Sequence, residues 1–397
     1  MKFGLIPRLI VAIGIGILIG LYGPEWLVRL TETGRILLGD IIKFFIPLII
    51  FAFIAASIAE LKGNAGKLLG YTVGISYLDT IIACAMAAGA AYLWVPGFIS
   101  GDFQLQEANE IGAPYVEIAI PAVMGIMTAL VLSIVIGLGS TWGPAKIISG
   151  MILELRDIVN KVIQKFIIPL LPLFIACVFA GIAAKGELFS TISVFGQMLI
   201  LIIVLQFIWL LIEYIVAGAI SRNNPATMAK AMLPAYFTAM GTMSSAISMT
   251  VSLKQAKTVP YMNKKIADFV MPVCANAHLS GAAMAITTSA ITVTLLTQGE
   301  LPPVGLIISF IIILGVIEVG AVGVPGGSAL AAIGILQSTL GFDETAIGLM
   351  LALFMIQDSF GTATNIAGDG AIAMIINRFF GEKEVVDVET AGKGLEQ

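Results

Sequence analysis

Apolar residues fall in long, nearly uncharged blocks at about 5–23, 36–59, 66–95, 115–139, 151–183 and 190–221. At 1.5 Å per residue each block can cross roughly 30 Å of hydrocarbon, so the pattern predicts six spanning helices in this part of the chain. The first block resembles a secretion signal in length, but no small-residue cleavage site precedes Pro24 and Glu25, and it reads as a retained span. After residue 222 the apolar stretches are interrupted at 241–248, 274–281, 320–328 and 357–369 by runs of Gly, Ser, Thr, Asn, Asp and His. Irregular backbone at membrane depth leaves N–H and C=O groups without water, so it survives only inside protein or beside a wet cavity. The four interruptions therefore predict a binding site within the membrane. Those at 241–248 and 320–328 each sit mid-stretch and precede another apolar span, which suggests inverted repeats with substrate held near the midplane. Close packing of small residues is the alternative that spacing leaves open.

Composition fixes the solvent. The chain is 58% apolar and 12% charged, with a mean hydropathy of +1.02, whereas a soluble domain carries about 25% charged residues. Basic residues, from Lys2 and Arg8 through Lys62, Lys67, Lys146 and the Arg222 to Lys265 group to Arg378 and Lys383, fall on one set of alternate block ends. Acids such as Glu25, Asp102, Glu107, Glu187, Glu300 and Asp343 fall on the other. By the positive-inside rule both termini are cytoplasmic, which makes this a multi-pass protein of the cell (inner) membrane. Cys84, Cys177 and Cys274 each lie within an apolar run, so they form no disulfide framework or CxxC metal motif. The net charge of −4 gives no footing for nucleic acid, and residues 382–397 read as a solvated acidic tail. A single His argues against a metal hydrolase or a His-based triad. No P-loop GxxxxGK[ST] is present to drive pumping, and no organic cofactor is implied.

The chemistry that remains is a set of acids at membrane depth. Asp358 and Asp369 are eleven residues apart, close to three helical turns, and share a face with Asn365. An ionised Asp at bilayer depth costs about 2.5–3.5 kcal/mol on insertion scales and marks function by default. No Lys or Arg lies between Lys265 and Arg378 to neutralise them, so the stripe suits a mobile cation or an ammonium group. Asp79, near Tyr77 and Thr80, and Glu318 are weaker candidates; Glu318 would approach the surface if the segment from 303 forms a hairpin. His278, flanked by Asn276 and Ser280, is either a proton-transfer group or a hydrogen-bonded packing residue.

At these residues the chain resembles the glutamate and neutral amino-acid transporter family, the dicarboxylate/amino acid:cation symporters, along its whole length. Val322 to Ser328 is similar to the family's second-hairpin Gly-Val-Pro-Gly signature, and Asp358 to Asp369 to its last-helix pattern. Met243 to Ser248 resembles the serine-rich first-hairpin tip, with Thr250 where the family usually has Pro, and Tyr77 with Thr80 resembles the polar pair of the third helix. The resemblance implies an all-α membrane protein of eight transmembrane helices and two re-entrant hairpins, assembled as a homotrimer in membrane lipid and working as an elevator. Residues 1–65 and 96–183 would form the scaffold, 66–95 and 184–381 the moving domain, and 382–397 a cytoplasmic tail. It implies a substrate pocket of Ser244, Ser245, Val324, Gly326, Asp358, Gly361, Thr362 and Asn365, with Asp358 on the α-ammonium and Asn365 on the α-carboxylate. Sodium would be held by Asp369 with Asn365, Cys274 and His278.

Two departures shape the expected activity. Acid-selective relatives place an Arg in the last helix or before the first-hairpin serines, where Gly361 and Met243 stand here. Without that bidentate partner an acidic side chain meets no charge, so a neutral amino acid is expected, with glycine leaving room for one larger than serine. The seventh-span signature Asn-Met-Asp-Gly-Thr reads His278 to Ala282, with Ser280 at the sodium-binding Asp. Hard cations want anionic oxygens, so sodium stoichiometry should fall. Either one sodium remains at Asp369, or coupling has passed to protons through His278 with Asp79 or Glu318 assisting. A channel or uncoupled exchanger, and a membrane enzyme using the paired Asp, are the competing classes.

Overall fold

The computed structural model describes residues 5–60, 66–98, 112–142, 146–186, 188–321 and 325–381, and every regular element among them is a helix. The first half holds α1 (Leu5–Tyr22), α2 (Glu25–Glu60), α3 (Gly66–Phe98), α4 (Ile126–Trp142), α5 (Lys146–Val162), α6 (Ile168–Ala184) and α7 (Leu188–Ser221). A single π turn, Ile163–Ile167, joins α5 to α6 just before Pro169, so the two make one long span. The second half holds α8 (Pro225–Thr242), α9 (Ser245–Ala256), α10 (Lys264–Ala277), α11 (Ser280–Gln298), α12 (Val304–Val319), α13 (Gly327–Leu340) and α14 (Glu344–Phe380). Six stretches of the described residues are long and apolar enough to cross a membrane: 25–59, 67–98, 147–184, 191–221, 264–298 and 344–380. Shorter apolar helices at 7–22, 128–140, 304–319 and 327–340 accompany them.

All six apolar blocks of the first half are helical, with shifted ends. α2 begins at Glu25 rather than 36, because its charged first turns are paired: Arg35 bonds Glu32 at 2.5 Å and lies 3.7 Å from Glu344, which also binds Lys43. The fourth block starts late, since residues 112–125 run irregularly before α4. Three of the four expected interruptions are present, at Met243 and Ser244, at His278 and Leu279, and between Gly320 and Gly326. The fourth is not. α14 is continuous from 344 to 380 through 357–369, because its small residues serve close packing and it contains no proline. A Cβ on Gly368 would stand 2.5 Å from Glu213 Oε2 and 2.8 Å from His278 Cε1.

α8 and α9 form one hairpin. Met243, in the left-handed region with φ 50°, ends α8, and Ser244 caps α9 by accepting the Ile247 N–H at 3.5 Å. α12 and α13 form the second, in which Val324 lies outside the described residues. Its hairpin geometry does not bring Glu318 toward the surface, contrary to the sequence expectation: the side chain is fully buried and accepts from Ser328 Oγ at 2.7 Å across the two arms.

Gly326 sets the start of α13 with φ 73°. A Cβ there would overlap the Met355 methyl of α14. Gly326→Ala should therefore cost about 1–2 kcal/mol, mainly from left-handed strain since the flexible Met355 end can shift aside, seen as a lower melting temperature; an unchanged melting curve would refute the strained hairpin tip.

Burial grades from the middle outward. In the most apolar stretch of α10 and α11, 94% of residues are buried, and in that of α14 89%, against 33% in α7 and 39% in α3. One apolar core joins α1, α2 and α6 to α11, α12, α13 and the first half of α14, and a second joins α8, α9 and α10 to its C-terminal half. α7 and α3 expose Leu211, Ile215, Leu78 and Ile82, apolar faces of a kind that fits lipid rather than water. The polar residues of α14 are thus held at the centre of the protein.

Candidate functional site

α14 carries the buried stripe of Asp358, Asn365 and Asp369 expected from spacing, with Thr362, which the family resemblance added, buried among them. Asp358 Oδ2 accepts the Gly326 N–H at 2.8 Å, tying the last helix to the tip of the second hairpin, and Thr362 Oγ1 donates to its Oδ1 at 3.5 Å. Asn365 Oδ1 accepts the N–H groups of Gly281 at 2.8 Å and Ala282 at 3.3 Å. Those amides are free because the span breaks at His278, which is extended with φ −114° and ψ 99°, leaving a helix N-terminus inside the protein. Asn365 caps it.

The break also places the one histidine among acids from three helices. His278 Nδ1 lies 3.1 Å from Asp369 Oδ1, and Nε2 lies 2.9 Å from Asp79 Oδ2 and 3.6 Å from Glu213 Oε1. Trp209 Nε1 donates to Asp79 at 3.3 Å, and Ser280 Oγ donates to Glu213 at 3.1 Å. A neutral imidazole donates from one nitrogen only, so both contacts are satisfied by an imidazolium or by a ring facing one protonated carboxyl. Asp369 Oδ2 and Glu213 Oε2 are buried without a protein partner. Three carboxylates thus surround a single ring, with acceptor oxygens to spare.

Of the predicted residues, Asp79, His278 and Asp369 come together, while Glu318 belongs to the second hairpin, where its Oε1 has no partner. Cys274 Sγ is 3.8 Å from Ser76 Oγ, and the Cys274 carbonyl accepts the His278 N–H at 2.8 Å. Tyr77 donates to the Ile312 carbonyl at 3.2 Å and Thr80 to the Ser76 carbonyl at 2.9 Å, so both hydroxyl protons go to backbone carbonyls rather than to the carboxylates. Ser245 is buried at the first-hairpin tip.

Glu213 was not among the sequence candidates. Its signal was present, since it is the one charged residue of α7, and a lone acid in an apolar span is a functional flag. Through Ser280 it returns a carboxylate to the place where the family signature loses one. A cavity of about 620 Å³ lies between α2, α3, α10 and α12, lined by residues such as Ile54, Val73, Pro272 and Val319. It is largely apolar and does not include the carboxylates.

The family model for the sodium:dicarboxylate symporter family matches residues 5–379. The chain belongs to that family. As a family member it is a multi-pass membrane transporter and not an enzyme. Among its relatives, the serine/threonine transporter SstT of Enterococcus faecalis is 27% identical over 93% of this chain and 90% of its own length. The SstT protein of Lacticaseibacillus casei is 26% identical over 92% and 86%. Human excitatory amino acid transporter 3 is 24% identical over 86% of this chain but 56% of its own.

Proposed function

We propose that this protein carries a small neutral amino acid across the cell membrane, coupled to a cation, by an elevator movement. The observation that carries the reading is Asp358, a buried carboxylate bonded to the Gly326 N–H at a hairpin tip, with glycine rather than arginine three residues on. Such a carboxylate is matched by an α-ammonium group. Asn365, its oxygen engaged by Gly281 and Ala282, keeps its Nδ2 to donate to the α-carboxylate, with Thr362 and the Ser244 and Ser245 backbone completing the pocket. An acidic side chain would find no cation at Gly361. Full-length relatives named as serine/threonine transporters support a neutral substrate. In this reading α1, α2, α4, α5 and α6 form the scaffold of a homotrimer with both termini in the cytoplasm. α3 and α7 to α14 move as one body.

For coupling, sodium at reduced stoichiometry is the first reading, because Asp369 Oδ2 and Glu213 Oε2 are buried carboxyl oxygens without a protein partner, which a bound cation would satisfy. Proton coupling is the second, favoured by His278 facing carboxylates with both ring nitrogens. A thermal-shift screen of amino acids with and without sodium tests the substrate class, since binding stabilises by mass action. Neutral amino acids should raise the melting temperature. Stabilisation by aspartate and glutamate alone would overturn the proposal.

A further inference from the structure

Next to Gly361 stands a pair of amides that the roles above leave unused. Gln206 of α7 is 1% exposed and Gln357 of α14 is 0% exposed. Gln206 Nε2 donates to the Gly281 carbonyl at 2.9 Å and to Gln357 Oε1 at 2.9 Å. These contacts fix both amide orientations: the carbonyl requires a donor from Gln206, and the second N–H of that nitrogen then requires the oxygen of Gln357. What remains is Gln206 Oε1, an acceptor, and Gln357 Nε2, a donor, both buried without a partner. Native interiors seldom leave two such groups unsatisfied side by side.

Their position gives them a use. A Cβ on Gly361 would stand 3.4 Å from Gln357 Oε1 and 3.5 Å from Gln206 Nε2. The bonded ends of the pair thus lie beside Gly361, one turn along α14 from Asp358, and Gln357 itself directly precedes Asp358 in the chain. A Cβ at position 361 would make only ordinary van der Waals contact with these amides and with the Ala282 backbone at 3.6 Å.

We propose that Gln206 and Gln357 select the substrate side chain, recognising one that is uncharged and both donates and accepts a hydrogen bond, a hydroxyl or a carboxamide. This rests on the neutral amino-acid reading and adds to it. A carboxylate accepts from Gln357 but meets the Gln206 oxygen with no cation to offset it. An ammonium group donates to Gln206 but cannot accept from Gln357. An aliphatic side chain satisfies neither group, and polar groups left unpaired in a closed site cost roughly tenfold or more in affinity.

The test uses the purified full chain and isosteric pairs: dissociation constants for L-threonine against L-valine and L-asparagine against L-leucine, measured by calorimetric titration on the wild type and on Gln357→Leu. In the wild type the polar member of each pair should bind about tenfold tighter or better. Gln357→Leu should bring the ratios near unity by weakening threonine and asparagine. Valine binding as well as threonine in the wild type overturns the assignment, as does an unchanged ratio in the variant. Should Gln357→Leu fail to fold, the wild-type ratios decide, with Gln357→Met as the second variant. Binding of all four without preference defeats this inference and spares the amino-acid reading, whereas binding of none defeats both.

Discussion

Asp358→Asn is expected to weaken amino-acid binding and uptake by about one to two orders of magnitude while leaving the protein folded. The carboxamide is nearly isosteric and its oxygen can still accept the Gly326 N–H now held at 2.8 Å, so the tie between α14 and the second hairpin persists. What disappears is the negative charge. A hydrogen bond to a charged group contributes about 1.5–3 kcal/mol net, so at the buried Asp358 a loss of about 10- to 150-fold in affinity is expected. Melting temperature without ligand should hold or rise, because an uncompensated buried carboxylate has been removed. Titration of the variant with serine and alanine reads the effect. Normal affinity would remove Asp358 from the ammonium role.

His278→Ala should produce the largest loss of stability. The ring sits 3.1 Å from Asp369, 2.9 Å from Asp79 and 3.6 Å from Glu213, and no Lys or Arg lies in the sequence between 265 and 378 to replace it. Deleting one partner of a buried ionic group costs about 3–5 kcal/mol, since the others remain buried and unpaired. The double variant His278→Ala with Asp369→Asn should recover part of that loss, as it removes one of the stranded charges. A melting temperature for His278→Ala equal to wild type would show that the acids do not depend on the ring. A double variant no more stable than the single one would place the dependence on Asp79 and Glu213 alone.

The fold was legible where apolar length decides it. Spans α1 to α7 follow from uninterrupted runs, and the breaks at 243, 278 and 320 from small and polar residues in apolar surroundings. The run at 357–369 reads as an interruption in one dimension because Gly361 and Gly368 stand among polar residues within an apolar stretch. In space, Gly368 admits Glu213 and His278, and Gly370 packs against Tyr214 and Met232. The stripe from Asp358 to Asp369 was readable because helical periodicity places its members on one face. Gln206 and Gln357 were not, since their meaning depends on α7 crossing α14 and α11, a tertiary contact that no local spacing encodes; Glu213, flagged as the one charge of α7, needed the same contact to find its partners. The loss of the Asp at Ser280 likewise looked like a lost charge, until α7 was seen to supply one across a 3.1 Å hydrogen bond.

The most direct measurement is uptake of a labelled neutral amino acid into liposomes holding the purified protein, under an inward sodium gradient, an inward proton gradient, or neither. A cation-coupled carrier accumulates label above the external concentration under one of the two gradients and only equilibrates without them. Accumulation or exchange that is identical in all three conditions would contradict coupling through the carboxylates around His278.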